Sequence, residues 1–361
     1  EPVAAPERTV EPEAEPEPTL TPEPEPEPEP EVEPEPEVEP EPEPIEIPVG
    51  AIIGAAVDVG ANSVHLLVAA VDGHRLVPLA DESVFLGLGD RVATEGFIGA
   101  GLREELALAL ATYAETARGL GARDVTVVGT EPVRRAADAA ALVHDVEARA
   151  GVPLYVLDHH EEGILNLLGV TMGTAISHEI VVVDIGGGSS EVVVAGPGRR
   201  TTTEGLRVGS ARLTQDHARS DPPTQAEIES MRDEAARVVA GAPDSRPDEL
   251  VAVGGTASNL LRVLPATAVD RVLTRRRIAI ALAMLTVEPS AEAATRHLLR
   301  PTRARILPAG AVILDAILER YGAERIRVSE EGIREGVVLA AAFAGPAWRD
   351  RLETLAAGWD E

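Results

Sequence analysis

The sequence predicts an α/β protein built from two similar domains, preceded by a disordered arm rich in glutamate and proline. Two short apolar segments, ending near Asp58 and Asp184, are each followed by a turn of small residues and a second apolar segment. Strand and helix patterns then alternate after each pair, which is typical of an α/β domain that occurs twice. The chain of 361 residues is long enough for about two ordinary domains. The predicted divisions are the arm at 1–48, the domains at 49–172 and 173–345, and a C-terminal tail at 346–361.

Composition separates the arm from the rest of the chain. Residues 1–48 contain 18 Glu, one Arg and 16 of the 29 prolines. Proline at alternate positions removes backbone donors and like charges repel, so we expect an extended, solvated arm that serves as a spacer. The arm carries a net charge of −17 out of −29, which leaves a moderately acidic remainder. This charge argues against non-specific nucleic-acid binding, although a local site can still attract an anionic substrate.

The sequence lacks cysteine and lacks a long apolar run, and each absence excludes some classes of function. The chain has no cysteine, which excludes disulfides, zinc-thiolate sites, iron–sulfur clusters and cysteine nucleophiles. No run of about 18 apolar residues occurs, so we expect no membrane-spanning helix and no membrane partner. The expected location is the cytoplasm. The oligomeric state is left open, with a homodimer as one alternative.

Hydrophobic periodicity and turn residues predict the elements in order. A strand at 52–59 precedes a strand at 64–71, and the turn Asp72-Gly73 joins the latter to a third strand beginning at residue 76. The next elements are helices at 101–121, 133–151 and 161–172, with strands at 125–129 and 154–157. The second half has strands at 180–185, 191–195, 250–253 and 325–328, and helices at 224–241, 256–264 and up to about residue 343. Thr224 and Glu227 fit a capping box.

The two aspartates lie in similar segments, AAVDVGANS at 55–63 and VVVDIGGGSSE at 181–191. Glycines in such turns let the backbone approach a ligand closely, and successive backbone amides can surround a phosphate. An aspartate at a strand end can hold hydrated magnesium against phosphate oxygens. A third glycine turn, at 254–258, opens a helix and fits either a phosphate site or a simple helix cap. The paired segments therefore predict a phosphate-binding site.

Several stretches together resemble the exopolyphosphatase / guanosine pentaphosphate phosphatase (Ppx/GppA) family of the actin/sugar-kinase/heat-shock ATPase superfamily. The matching stretches are DVGANSVHLL at 58–67, VGTEPVRRAADA at 128–139, HEEGILNLLG at 160–169, VDIGGGSSEVV at 183–193, GSARLTQDHARSDPPTQAEI at 209–228 and EGIREGVV at 331–338. They extend over about residues 51–344, essentially the whole predicted globular part. The chain resembles the short, two-domain form of the family.

The resemblance implies two ribonuclease-H-like (actin-like ATPase) domains with an interdomain cleft, and magnesium as the cofactor. It also implies hydrolysis that releases terminal phosphate from inorganic polyphosphate. One alternative is removal of the 5′-phosphate of pppGpp to give ppGpp. A second alternative is a non-catalytic protein that binds polyphosphate or nucleotide alarmones. A sugar-kinase-like activity is disfavoured, because phosphotransfer members of the superfamily use a different base.

The resemblance also assigns roles to residues. Glu162 matches the family's general base, which activates water, and Arg134 matches an arginine that contacts the transferred phosphate. The implied metal ligands are Asp58, Asp184 and Glu191. The phosphate-binding residues of the two loops are Gly60, Asn62, Ser63, Gly186, Gly187, Gly188, Ser189 and Ser190.

Other polar residues are weaker candidates. Arg212 and Arg334 could contact phosphate, with a solvated surface cation as an equal alternative. The adjacent His159 and His160 do not suit two metal ligands on one helix face, so a metal role is disfavoured. His65 is expected to pack or to hydrogen-bond locally.

Four positions depart from the family's pattern. Ala61 stands where serine is common, and Asp138 stands near a position where asparagine is expected. Gly163-Ile164 replaces a usual Ala-Arg, which removes a basic residue that we expect near the cleft. Glu131-Pro132 replaces smaller or neutral residues, and we expect the added acid to disfavour a polyanion.

Overall fold

Runs of apolar and β-branched residues form two mixed β-sheets in the computed structural model, which describes residues 46–264 and 269–359. The predicted arm lies outside these residues, apart from 46–48. The strands of the first sheet are β1 (Ile52–Val59), β2 (Ser63–Asp72), β3 (Arg75–Phe85), β4 (Val125–Gly129) and β5 (Leu154–Val156). Their order is β3-β2-β1-β4-β5. The first three strands pair antiparallel, whereas β4 and β5 extend the sheet parallel to β1.

The second sheet repeats this order and adds one strand. Its strands are β6 (Ile180–Ile185), β7 (Ser190–Ala195), β8 (Thr202–Leu206), β9 (Glu249–Val253), β10 (Val272–Thr274) and β11 (Arg325–Val328). Their order is β8-β7-β6-β9-β11-β10, in which the first five positions correspond to the first sheet and β10 is an antiparallel addition. The repeated order confirms the predicted fold of two ribonuclease-H-like sheets. The domain limits at 172 and 345 stay a prediction.

Helices pack around the sheets and between them. They are α1 (Leu88–Glu95), α2 (Ala100–Gly119), α3 (Glu131–Arg135), α4 (Ala139–Ala150), α5 (His159–Thr171), α6 (Ser210–His217), α7 (Gln225–Val239), α8 (Gly254–Val263), α9 (Arg275–Leu285), α10 (Ser290–Arg296), α11 (Pro301–Arg320), α12 (Ile333–Ala344) and α13 (Leu352–Ala356). No single helix in the described ranges has the length and apolar character needed to cross a membrane. The pair α9 and α10 would pass that test together by length and composition alone, with a bend of 117° between them.

Helices α5 and α12 pack against each other between the two sheets. A buried apolar cluster there joins Ala56 of β1 and Val182 of β6 to Leu165 of α5 and Val337 of α12. Two further buried clusters include residues from the first sheet and from the second sheet, respectively. The position of α5 is therefore fixed by burial on several sides, and this helix carries Glu162 in its first turn.

Polar side chains explain how several helices begin and break. The predicted capping box of α7 is confirmed, with Thr224 and Glu227 each bonded to the other's backbone amide. The predicted helix at 133–151 is instead divided into α3 and α4. Between them, the Asp138 carboxylate accepts hydrogen bonds from the backbone amides of Ile98 and Gly99 at 2.8 and 2.9 Å. This departure from the family's pattern has a local structural role.

Four short elements were not predicted from the sequence, namely α1, β8, α6 and β10, which contain few apolar residues in a regular period. Their formation depends on neighbours, as in β8, which pairs along the edge of β7. The residues after 345, predicted as a tail, form two 3₁₀ turns and α13, and α13 contacts α5.

Candidate active site

The two glycine loops have the same backbone arrangement and face each other. In the first loop, the Gly60 amide donates to the Ser63 carbonyl at 3.1 Å, and in the second the Gly186 amide donates to the Ser189 carbonyl at 3.0 Å. A Cβ added to Gly187 would lie 3.2 Å from the Cβ of Ala61. The strand-ending segments of the two sheets therefore meet at one place.

A cleft of about 1340 Å³ opens between these loops. Ten of the residues singled out from the sequence line it: Asp58, Gly60, Asn62, Ser63, Glu162, Asp184, Gly186, Gly187, Gly188 and Ser189. Arg134 and Glu191 lie behind this lining. Ser190 corrects an expectation, because its side chain is fully buried and its hydroxyl donates to the Val208 carbonyl at 2.6 Å. That hydroxyl is engaged by the protein backbone and does not face the cleft.

Arg134 holds Glu162 against the end of β5. Its Nη1 donates to Glu162 Oε2 at 3.0 Å and to the Leu157 carbonyl at 2.6 Å. Its Nη2 lies 3.0 Å from Nδ1 of His159 and 3.9 Å from Oε1 of Glu191. The guanidinium thus fixes the orientation of Glu162, whose side chain lines the cleft although the residue is only 5% exposed.

His159, Glu162 and Glu191 form a group that could hold a metal ion, with ligand atoms within 4.8 Å of one another. The adjacent positions of His159 and His160 argue against two histidine ligands on one face of α5. In the structure, one histidine and Glu162 come from α5, and Glu191 of β7 supplies the third member of the group. Glu191 Oε1 lies 2.8 Å from Nδ1 of His159 and accepts from the Ser189 hydroxyl at 2.8 Å. The guanidinium of Arg134 contacts all three members of the group and already places a positive charge there.

Asp58 and Asp184 form a second pair of carboxylates on the cleft wall. Asp58 Oδ1 is buried without a hydrogen-bond partner among the described residues. Asp184 Oδ2 accepts from Nδ2 of Asn166 at 3.3 Å. The third glycine turn packs closely against this aspartate: a Cβ added to Gly254 would lie 2.5 Å from Asp184 Oδ1. Gly254 has a φ of 79°, so both conformation and space favour glycine there.

Burial raises the pKa values of four carboxylates at the site, those of Asp58, Asp184, Glu162 and Glu191. Desolvation and then the charge of Asp184 raise the pKa of Asp58 to about 7. Desolvation raises the pKa of Asp184 to about 6, against the opposing hydrogen bond from Asn166. The pKa values of Glu162 and Glu191 are raised by burial and by nearby carboxylates, while Arg134 opposes both shifts. Each of these carboxyl groups therefore holds its proton more tightly than an exposed one would.

Glu131 corrects the expected repulsion of a polyanion. Its carboxylate accepts from Arg135 at 2.6 Å and from Arg212 at 3.2 Å, so two guanidinium groups offset its charge. Arg212 also donates to the Gly188 carbonyl at 2.7 Å. A Cβ at Gly188 would collide with the Glu131 carboxylate. Glu131 and Arg212 therefore support the backbone of the second glycine loop.

Ile164 corrects a second expectation. Its side chain is fully buried in the apolar cluster between the sheets, and the cleft lining does not include it. The basic residue usual at this position would therefore not point into the cleft of this structure. Asn166, one helical turn beyond Glu162, was missed because an asparagine within an apolar helix gives no sequence signal for its contact with β6.

Two weaker candidates also lie at the cleft. Arg334 lines it and donates to Asp81 Oδ1 at 2.6 Å. His65 Nε2 and the Ser63 hydroxyl share a hydrogen bond of 2.6 Å, which confirms a local bonding role for this histidine. Burial and then the Arg334 charge lower the pKa of His65 to about 4, so its ring is neutral at neutral pH.

Comparisons with known proteins agree with this geometry. A model of the Ppx/GppA phosphatase family matches residues 67–342. Exopolyphosphatase 1 of Mycobacterium tuberculosis is 28% identical over 297 residues, covering 78% of this chain and 86% of that protein. A guanosine-5′-triphosphate,3′-diphosphate pyrophosphatase of Vibrio atlanticus is 24% identical over 298 residues, covering 78% of this chain and 58% of that protein. The crystal structure of the Aquifex aeolicus Ppx/GppA family member superimposes with a TM-score of 0.72 at 26% identity, covering 82% of this chain and 99% of that one.

Proposed function

Because the chain belongs to the Ppx/GppA phosphatase family, we propose that it releases the terminal phosphate of linear inorganic polyphosphate. The observation that carries this proposal is the position of Glu162. Its carboxylate lines the cleft that both glycine loops line, and Arg134 holds it there. Burial raises the pKa of Glu162, which makes its carboxylate a stronger base than an exposed one.

The two loops supply the phosphate site in this proposal. Backbone amides near Gly60 and Gly187 surround the terminal phosphate, with Asn62 and Ser63 as additional donors. Glu162 takes a proton from water as the water oxygen bonds to phosphorus. The bond from phosphorus to the bridging oxygen breaks, and the shortened chain leaves with the electron pair. Positioning and electrostatic stabilisation account for most of the acceleration in such a reaction.

A magnesium ion fits the carboxylates that line this cleft. Oxygen atoms are the ligands that magnesium prefers, and Asp58 Oδ1 is buried without a partner among the described residues. Asp58 and Asp184 would hold the ion, with Glu191 beside them because it pairs with Asp184 across β6 and β7. When bound, the ion offsets the charge of the phosphate oxygens and of the carboxylates.

The walls of the cleft favour a phosphate chain over a nucleotide. Five arginines from the second half of the chain line it: Arg262, Arg271, Arg300, Arg303 and Arg334. Phe85 is the one phenylalanine, tyrosine or tryptophan in the described lining, and the Arg300 guanidinium lies 4.9 Å from the centroid of its ring. A guanine base would have to displace Arg300 to stack on this ring. The alternative substrate is pppGpp, because the Vibrio relative is named as a guanosine-5′-triphosphate,3′-diphosphate pyrophosphatase.

Phosphate release by the purified full chain tests the proposal. Tripolyphosphate, long-chain polyphosphate and pppGpp are each offered with magnesium and with excess chelator, and the Glu162→Gln variant serves as the matched control. We expect magnesium-dependent release from polyphosphate that the variant loses. Release from pppGpp alone supports the alternative substrate. Tight polyphosphate binding without release under every condition shows a binding protein instead.

A further inference from the structure

We propose that Arg349 is a positioning residue for Glu162 and acts through the first turn of α5. This inference rests on the proposed function, which makes Glu162 the base. Arg349 belongs to the C-terminal clasp, a name used here for residues 345–359, which include two 3₁₀ turns and α13. The family match ends at residue 342, so the clasp lies beyond it.

Apolar burial anchors the clasp on the body. Trp348 is 2% exposed, and its ring meets that of Tyr155 edge-on at 5.5 Å. Leu352 and Leu355 belong to the buried cluster that also contains the apolar side chains of α5. The amide of Trp359 donates to a carbonyl just after α5 at 3.0 Å. The clasp therefore presents its polar groups from a fixed backbone.

Arg349 binds Glu161 through both arms of its guanidinium. Nε donates to Glu161 Oε1 at 2.6 Å, and Nη2 donates to Oε2 at 2.6 Å. The planar fork of arginine matches a carboxylate in this two-bond geometry and fixes its direction. Nη2 also lies 3.3 Å from the Val156 carbonyl at the end of β5. Arg349 thus ties the last residue of β5 to the first turn of α5.

The carboxylate that Arg349 fixes is the one that caps α5. Glu161 Oε2 accepts from the Asp158 amide at 3.0 Å, and Asp158 Oδ1 accepts from the Glu161 amide at 2.8 Å. This capping box sets where the helix begins. The next residue is Glu162, whose amide donates to the Asp158 carbonyl at 3.1 Å. A shift of the capping box would therefore move the backbone of Glu162.

A second contact from the clasp reaches the same turn. Nε2 of His160 lies 2.8 Å from Glu353 Oε1 in α13, and its Nδ1 lies 2.6 Å from the Thr203 hydroxyl in β8. On the cleft side, Arg134 bonds to Glu162 itself and to the residue before the capping box. The first turn is thus held by Arg134 from the cleft and by the clasp from the surface.

The expected effect is on turnover more than on stability. The Arg349 side chain is 38% exposed, and partly exposed ion pairs contribute little to the free energy of unfolding. A catalytic carboxylate, in contrast, is sensitive to its position, and a displacement of about 1 Å can lower a rate by about 100-fold. Arg349→Ala removes one of the two contacts that hold the first turn of α5, so we expect the rate to fall by less than about 100-fold.

Arg349→Ala is compared with Arg351→Ala, a matched control in the same clasp. Arg351 is exposed, and its side chain has no hydrogen bond or ion pair within the part of the chain that the structure describes. We expect Arg349→Ala to lower kcat for polyphosphate about 5- to 20-fold while KM changes less than about twofold, the pattern of a lost transition-state contribution. Arg349→Lys should recover part of the loss, and Arg351→Ala should behave as the unmodified chain.

Hydrogen exchange gives a readout that does not depend on the substrate. Arg349→Ala should speed exchange at the amides of the first turn of α5. In a chain that already carries Glu161→Ala, Arg349→Ala should add nothing further to the loss of kcat, because its guanidinium then has no carboxylate to fix. Unchanged kcat and unchanged exchange in Arg349→Ala would overturn the inference. Equal losses in the Arg349→Ala and Arg351→Ala variants would also overturn it. An unmodified chain that releases no phosphate overturns the proposed function instead, while exchange still decides whether Arg349 holds the turn.

Discussion

Arg134 donates a hydrogen bond to Glu162 at 3.0 Å, although 28 residues separate them in the chain. Arg134 follows β4, and Glu162 follows β5. Because β4 and β5 are parallel neighbours, the segments after them emerge at the same edge of the first sheet. The sheet order therefore assembles this pair, and the pair gives the cleft a carboxylate of fixed direction.

Replacement of Glu162 by glutamine tests the role of base. The amide keeps the size of the side chain and an oxygen that can accept from Arg134, but it cannot take a proton from water. We expect kcat for polyphosphate to fall by roughly 10² to 10⁴, the usual contribution of a positioned base, with KM nearly unchanged. Steady-state phosphate release measures both constants. Glu292→Gln, at an exposed position of α10, is the control, and turnover unchanged in Glu162→Gln removes this residue from the mechanism.

The cleft aspartates should determine the magnesium requirement. Asp58→Asn and Asp184→Asn each remove one negative charge from the proposed metal ligands. We expect both variants to need at least about tenfold more magnesium for half-maximal activity, since a single carboxylate ligand contributes strongly to the binding of a hard cation. Magnesium titrations of activity measure this shift, with Asp233→Asn on the exposed face of α7 as the control. Full activity in excess chelator would contradict the metal model.

The pKa of Asp58 predicts how stability depends on pH. Burial and then the Asp184 charge raise this pKa from 3.8 to about 7, so the folded carboxyl binds its proton more tightly than the unfolded one. In the absence of metal, the contribution of Asp58 should lower the free energy of unfolding as pH rises from about 4 to about 7, and should level off above. Asp58→Asn should remove this part of the decline.

Thermal unfolding in chelator, followed from pH 4 to 8, measures the difference between the unmodified chain and Asp58→Asn. Magnesium should raise Tm more at pH 8 than at pH 5, because the ionised carboxylates bind it best. Asp233→Asn should follow the unmodified chain at every pH. Parallel curves for the unmodified chain and Asp58→Asn would show that this carboxyl does not titrate as its burial suggests.

The pair of Arg300 and Phe85 should influence the choice of substrate. The Arg300 guanidinium lies 4.9 Å from the Phe85 centroid and covers the ring that a base would need. Arg300→Ala should raise kcat/KM for pppGpp relative to tripolyphosphate, by about 3- to 10-fold if stacking contributes about 1 kcal/mol. Arg300→Ala/Phe85→Ala should lose that gain. The ratio of the two specificity constants is the measurement, and a ratio unaffected by Arg300→Ala means that this pair does not select against the base.

Sequence alone determined the elements whose signal is local. The strands β1, β4, β6 and β11 were predicted with the bounds that they have, because the first three are mainly apolar segments and β11 alternates arginine with apolar residues. The two loops after Asp58 and Asp184 were predicted as one site, because their repeated spacing identified corresponding positions of two similar sheets. Recognition of Glu162 required the resemblance to the family, since a single glutamate among many carries no pattern.

Only the tertiary structure decided how the charges of the site are arranged. Arg135 and Arg212 offset Glu131, Asn166 bonds to Asp184, and Ser190 donates to a backbone carbonyl. Apart from the i,i+4 pair of Arg135 and Glu131 within α3, each of these contacts joins a side chain to a group on another element or loop, so no periodicity within one segment can indicate it. The same reason applies to Arg349 and Glu161, which are 188 residues apart and meet because the burial of Trp348 brings the end of the chain onto α5. The spacing of apolar and polar residues along the chain determines where helices and strands form. The free energy of burying a polar side chain depends instead on the groups around it, and folding brings those groups from distant parts of the sequence.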